Sequence, residues 1–410
     1  MNNIPIINQE ELVEMIKTKL ESKPYKASYS HFSEAPAQTE STAYVLILGA
    51  GFSYGIVPLV NELMQQTIGD YYYPDQDQSS VERPARVLRK DSAHFWAEFN
   101  EAAAGKKLPI VELDGRGLPK NPGAAYQRLF AYDGANVLFA QTEPEKRNLS
   151  FLESLEQQRA GHQAPKDGKE KRSNTGERFV KGFLRYVLDP GSEHGSGSTG
   201  RNRLNSAHFY LASLLEAQQL GQRWRTCAFC RTIFTTNFDT LLQNALQMVN
   251  LLYCLTDRPE KGISRSDFHL EEGPIHLVYV HGSILRHNPA STLEELGGLA
   301  KKNIKVLQDY LGSSDIIVIG YSGWNDGLMT ALHHCASSQQ KLYWCDVRPK
   351  PTSHVASLLK ERADSAVYVN LGKEGSDGLM RALYETLVPA KVQRDPIKRY
   401  QDWSGLVWNR

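Results

Sequence analysis

Tyr44-Val45-Leu46-Ile47-Leu48-Gly49-Ala50-Gly51-Phe52-Ser53-Tyr54-Gly55 is the stretch on which the fold turns. Five consecutive apolar residues closed by glycines predict a strand covered on both faces, as in a parallel sheet. A helical pattern from Val57 to roughly Gly69 follows, so the unit reads strand, turn, helix. Glycine at 49 and 51 frees φ and admits close approach, and the N–H groups of such a turn are suited to a phosphate. The spacing is not G-x-G-x-x-G, because Tyr54 stands three residues after Gly51. Two readings stay open from these residues alone: an anion cradle, or a tight strand-to-helix turn with no ligand.

Before this unit, Leu12, Val13, Ile16 and Leu20 recur at helical spacing within Gln9 to Leu20, and Lys23 to Thr42 has the composition of a connector. After it, Val81 to Arg203 reads as helical stretches (Arg86 to Ala103, Ala124 to Phe139, Leu149 to Arg159, Arg178 to Leu188) between polar, glycine-rich segments. From Leu204 short apolar runs alternate with helical patterns: Thr232 to Thr235, His276 to Val280, Asp315 to Ile319, Leu342 to Cys345 and Ala366 to Val369. This alternation predicts an α/β fold, a doubly wound Rossmann-like parallel sheet with a largely helical insertion. The expected domains are an N-terminal helix and linker (1–42), the sheet domain (43–80 and 204–390), the insertion (81–203) and a C-terminal tail (391–410).

Composition narrows the function. Among 410 residues, 47 Lys+Arg nearly cancel 46 Asp+Glu, so direct nucleic-acid binding is not indicated. No apolar run is long enough to span a bilayer, and the start of the chain lacks the layout of a secretory signal, which gives a cytoplasmic expectation and no membrane partner. Five cysteines, an odd number in apolar contexts, read as buried thiols in a reducing compartment. Cys227 and Cys230 alone have C-x-x-C spacing, and without a second pair no metal site is expected.

Polar clusters close the apolar runs in order. They are Gly49 to Ser53, Thr235-Thr236-Asn237-Phe238-Asp239, His281-Gly282-Ser283, Gly320-Tyr321-Ser322-Gly323-Trp324-Asn325-Asp326, Asp346-Val347-Arg348-Pro349 and Asn370-Leu371-Gly372. In doubly wound sheets ligands bind at these carboxyl ends. The order resembles the sirtuin family, whose members carry a Gly-Ala-Gly-x-Ser turn, a Thr-Gln-Asn-Ile-Asp-like segment, a His-Gly pair, a Gly-x-Ser turn and a late Asn-centred turn, for which Asn370 is the candidate here. The resemblance covers about Tyr44 to Met64 and Ile233 to Leu387.

That resemblance implies NAD+ as the substrate. It implies catalytic roles for Asn237 and His281, a pyrophosphate site at Gly49, Ala50, Gly51 and Ser53, a nicotinamide contact at Asp239, and a place near the reacting water for Thr236. Gly320 and Ser322 would face the adenosine-side ribose and phosphate, and Asp346 the adenosine hydroxyls. Residue chemistry leaves other roles open: Asn237 as an Asx cap on the helix near Thr240, His281 as a hydrogen-bonded strand-end histidine, Asp239 as a first-turn acid.

Two departures bear on the reaction. Deacylases of the family carry two C-x-x-C pairs after the His-Gly strand, and Ser283 to Asp315 holds no cysteine. Their Gly-Ile-Pro-Asp-Phe-Arg continuation is replaced by Gly55-Ile56-Val57-Pro58-Leu59-Val60. The pattern is similar to the sirtuin-like effector domains of bacterial anti-phage systems. It implies an NAD+ glycohydrolase acting in abortive infection, a homo-oligomer, and a restraining or activating partner such as a HerA-like ATPase or an Argonaute-type protein. The alternatives are ADP-ribosyl transfer or deacylation in the same pocket, and an idle NAD+/ADP-ribose sensor.

Overall fold

The computed structural model describes residues 4–22, 43–54, 56–57, 59, 62–69, 85–129, 204–220, 229–257, 274–281, 307, 311, 314–323, 326–335, 340–362 and 365–408. They fall into two compact units, one of 1–56, 202–288 and 297–410, the other of 57–201 and 289–296.

The first unit is built on one eight-stranded sheet. Its strands are β1 (Ile6–Asn8), β2 (Tyr44–Leu48), β3 (Cys230–Thr235), β4 (Tyr253–Thr256), β5 (Ile275–Tyr279), β6 (Asp315–Ile319), β7 (Leu342–Asp346) and β8 (Ala366–Asn370). The spatial order is β1-β8-β7-β6-β2-β3-β5-β4, and every neighbouring pair is parallel. All residues of β2, β5 and β6 are buried, which is why these strands read as unbroken apolar runs. From β2 the chain runs to β3, β4 and β5 on one side and returns to β6, β7 and β8 on the other, so the order reverses between β2 and β6. That switch point is where doubly wound sheets open a crevice.

Helices α1 (Gln9–Ser22), α4 (Ser206–Leu220), α5 (Leu241–Met248), α6 (Gly327–His334), α7 (Ser353–Glu361), α8 (Gly375–Leu387) and α9 (Pro396–Trp408) belong to this unit, α2 (Ala85–Gly105) and α3 (Pro122–Leu129) to the other. Strand residues Val45, Ile47, Phe234, Val278, Ile316, Val318 and Trp344 form one core with Leu328 and Leu332 of α6 and Val355 and Leu358 of α7. On the Tyr44 side, Lys19 of α1 lies over the Tyr44 ring at 4.5 Å, α1 packs on α8, and α8 runs along α4. Caps set the helix starts. Asn8 and Glu11 form a reciprocal box, Asn8 N–H to Glu11 Oε2 at 2.8 Å and Glu11 N–H to Asn8 Oδ1 at 2.9 Å. Asp395 accepts from the Ile397 and Lys398 N–H groups ahead of α9, with Pro396 in the first turn.

The second unit contains α2 (Ala85–Gly105) and α3 (Pro122–Leu129), together with a π-helical turn at Leu63–Thr67. Trp96 of α2 is fully buried and donates to Met64 O at 2.7 Å. Asn121 starts α3 by accepting from Ala124 N–H.

Strands at 44–48 and 315–319 form with the bounds the sequence predicts. Four elements differ, among them β4 (Tyr253–Thr256), an edge strand that the sequence did not predict. Among the described residues the helix expected from Val57 covers 62–69, and the glycine turn runs into a 3₁₀ turn, Ala50–Ser53. Ile6–Asn8 adds an edge strand beside β8, and part of the expected tail is α9. Helices expected at 149–159 and 178–188, and most of those at 124–139 and 293–311, lie outside the described residues.

Candidate functional site

Two glycine turns meet at the switch point. Gly49 N–H donates to Ile319 O at 2.9 Å, Gly51 N–H to Gly320 O at 2.8 Å, and Phe52 N–H closes back on Gly49 O at 2.9 Å. A Cβ at Gly49 would lie 2.5 Å from Gly320 O, and one at Gly320, where φ is +68°, 2.4 Å from Phe52 N. Glycine is therefore required here by backbone meeting backbone. These three N–H groups are spent on the fold, which differs from the expected turn with its donors aimed at an anion.

Ser53 ends the turn fully buried, and its hydroxyl is the hub of the site. It accepts from Asn237 Nδ2 at 3.1 Å and donates to Asp239 Oδ2 at 3.1 Å. The chain end of β3 is thus tied by its side chains to the chain end of β2. Asp239 Oδ1 accepts the Leu241 N–H at the start of α5, and its backbone oxygen accepts the Tyr279 hydroxyl of β5 at 2.6 Å. Burial pushes the Asp239 carboxyl up, against the lowering effect of the Leu241, Ser53 and Asn237 bonds.

Two residues that the sequence reading did not assign complete the hub. His208, in the first turn of α4, places Nε2 at 3.5 Å from Ser53 Oγ and stacks edge-on against Phe52. Its Nδ1 bonds Asn205 Oδ1, and Asn205 Nδ2 donates to Phe52 O at 2.6 Å. An amide oxygen can only accept, so Nδ1 carries the proton and Nε2 is an acceptor. Asp239, nearer to Ser53, takes the hydroxyl proton. Burial pushes the His208 imidazole down to about 3, and it is neutral. The sequence signal was Asn205-x-x-His208 at a helix start, a polar pair inside an apolar helix.

Asn237 Oδ1 is buried with no hydrogen-bond partner among the described residues. Leaving such an acceptor unpaired within the protein costs about 1–3 kcal/mol. Asn237 does not cap α5: Thr240 occupies the cap position, and the Asn237 side chain points to Ser53. His281 follows β5, half-buried, with Nε2 at 3.4 Å from Asp326 Oδ2 and the Phe238 ring 6.4 Å away.

The other sequence-predicted residues spread along the strand ends. Thr236 N–H donates to Leu48 O at 3.0 Å, holding β3 against β2, and Ala50 is exposed. Gly320 and Ser322 close β6 beside the glycine turn, and Ser322 is half-buried. Asp346 stands one strand further out, at the end of β7, and its carboxylate is occupied by Arg348, with Nε at 2.9 Å from Oδ2. Gly282 and the Trp324-Asn325 pair lie outside the described residues. Cys230 is buried in β3, where burial pushes its thiol up to about 12, so it is inert; Cys227 is not described. No helix of the described residues is long and apolar enough to cross a membrane.

An all-parallel sheet with a polar site at its reversal point defines a Rossmann-like α/β domain. Residues 231–367 match the family model described as "SIR2-like domain", and the chain carries a sirtuin-like domain. The match begins within β3, so the glycine turn lies ahead of it. No curated protein matches the chain. A solved structure described as "Structural Basis for the Mechanism and Regulation of Sir2 Enzymes" is similar at 10% identity and a TM-score of 0.32, covering 85% of this chain and 92% of that chain.

A sirtuin-like domain implies the use of NAD+. At the strand ends lie an unpaired buried amide oxygen, Asn237 Oδ1, and the His281 imidazole beside a carboxylate.

Proposed function

We propose that the strand-end crevice binds NAD+ and hydrolyses it to nicotinamide and ADP-ribose. The observation that carries this reading is the unpartnered, buried Asn237 Oδ1 beside the glycine turn. NAD+ itself supplies a cationic nicotinamide whose departure leaves an oxocarbenium-like ribose. The protein's work is then to orient and to handle one proton.

Asn237, held by Ser53 at one end of its amide, presents its oxygen to a ribose hydroxyl or to the attacking water. His281 takes the proton released when water adds, and returns it to solvent, so that NAD+ and water give nicotinamide, ADP-ribose and a proton. Ser53 is too deeply buried to touch a pyrophosphate, so its role is to brace Asn237 and Asp239. Asp239 keeps β3, α5 and β5 in register beneath the reacting centre. Gly49, Ala50, Gly51, Thr236, Gly320 and Ser322 line the crevice, with Gly51 and Gly320 fixing its floor. Asp346 contributes to adenosine binding only if its Arg348 pair opens.

We further propose that the activity serves as a toxic effector in anti-phage defence, depleting NAD+ in a cytoplasmic homo-oligomer. A restraining partner such as a HerA-like ATPase or an Argonaute-type protein would hold it in check. This part rests on the sirtuin-like motif order with neither C-x-x-C pair in 283–315. Full, unregulated turnover by the purified chain alone would count against a restraining partner.

Product analysis tests the chemistry. Free ADP-ribose in step with nicotinamide supports hydrolysis; ADP-ribose attached to protein or nucleic acid means transfer, and NAD+ bound but unchanged means a sensor.

A further inference from the structure

Asp326 lies between the turn after β6 and α6, with its carboxylate shared between two tasks. Oδ1 accepts the Met329 N–H at 3.0 Å, and the backbone oxygen accepts the Thr330 N–H and hydroxyl, each at 3.0 Å. That is a helix cap, which any Asn or Ser could provide. Oδ2 has no part in it. It faces His281 Nε2 at 3.4 Å, with the two side chains only 14% and 8% exposed. Burial works to raise this carboxyl, yet the His281 contact, the Met329 N–H and Tyr321 outweigh it and hold it below the usual carboxylate range.

The contact is an ion-pair distance, longer than a formed N–H···O bond, and His281 Nε2 has no other partner among the described residues. An anionic oxygen can only accept, so the ring nitrogen facing it carries a proton. The opposite nitrogen, Nδ1, is then the acceptor.

We propose that Asp326 is the positioning residue of His281, orienting the ring with Nε2–H toward Oδ2 and leaving Nδ1 as the nitrogen that takes the proton. The inference rests on the reading of His281 as the base in NAD+ hydrolysis. When Nδ1 accepts that proton the ring becomes an imidazolium, and the adjacent carboxylate offsets its charge until the proton leaves to solvent. A neutral amide at 326 would cap α6 equally well while removing that charge.

Asp326→Asn therefore separates the two tasks. The full chain, labelled with ¹⁵N-histidine and compared with His281→Gln to assign the ring, gives the tautomer of His281 directly by long-range ¹H–¹⁵N correlation at alkaline pH. The wild-type chain is expected to hold the Nε2–H form. Asp326→Asn is expected to populate the Nδ1–H form as well and to lose about 10- to 100-fold in kcat with KM changed less than about 3-fold. A wild-type ring in the Nδ1–H form overturns the proposal without need of any variant. So does an Asp326→Asn chain with unchanged tautomer and unchanged kcat. A wild-type ring in the Nε2–H form with no nicotinamide release removes the hydrolysis reading while upholding Asp326 as the residue that sets the ring.

Discussion

Asn237 Nδ2 donates to Ser53 Oγ across 3.1 Å, so the amide at the end of β3 is aimed by a hydroxyl at the end of β2. One end of the amide is fixed, and the other, Oδ1, is left buried and unpaired among the described residues. Asn237→Ala removes the aimed acceptor while Ser53 keeps its bond to Asp239. Nicotinamide release should fall about 100-fold or more, in line with the loss of one positioned polar group, at a near wild-type melting temperature. Wild-type turnover in this variant would remove Asn237 from the mechanism.

Ser53→Ala deletes the shared hydroxyl and leaves Asp239 Oδ2 and Asn237 Nδ2 facing a methyl group. The expected cost is about 1–3 kcal/mol of stability, together with a loss of turnover from the untethered amide. Ser53→Ala and Asp239→Asn act through one bond, so their urea-measured effects should fail to add by about 0.5–3 kcal/mol in a double-mutant cycle. Additive effects would mean the two side chains are not coupled.

Gly320→Ala and Gly372→Ala make a matched pair. Both glycines have positive φ, +68° and +63°, but a Cβ at Gly372 meets nothing within 4 Å, whereas one at Gly320 strikes Phe52 N at 2.4 Å. Gly372→Ala should cost only backbone strain, about 1 kcal/mol. Gly320→Ala should cost several-fold more and weaken NAD+ binding, read by denaturation and calorimetry. Equal effects would deny the contact between the two turns.

Burial pushes His208 down to about 3 from 6.5, so between those values the unfolded chain binds a proton that the folded one excludes. Stability from this group is present above about 6.5 and declines as pH falls toward 3, by about 1.4 kcal/mol per pH unit. Asp239, raised by burial, has the opposite sign, losing stability as pH climbs from 3.8 through its folded value. Both chains of a wild-type and His208→Gln comparison carry Asp239, so their difference isolates His208. That difference should shrink by about 2 kcal/mol between pH 6.5 and 5.0. Parallel stability curves would contradict a buried neutral imidazole.

The sheet was legible because its strands are buried on both faces, and the runs at 44–48 and 315–319 needed no tertiary information. Ile6–Asn8 and Tyr253–Thr256 were not, since edge strands are short and half-exposed and carry little apolar signal. Asn237, His281 and the glycine turn stood out by their place after strands. His208 did not, and Asp326 stood in a strand-end cluster without a role, because each reads as a helix-start residue in one dimension and only the fold brings Nε2 of one to Ser53 and Oδ2 of the other to His281. The glycines were legible as necessary, while the reason, two backbones in contact, was not.

The most direct test is to incubate the purified chain and its Asn237→Ala variant with NAD+ and follow nicotinamide and ADP-ribose by chromatography. The account predicts equal release of both from the wild-type chain and almost none from the variant. Intact NAD+ with the wild-type chain, or equal release from both, would contradict it.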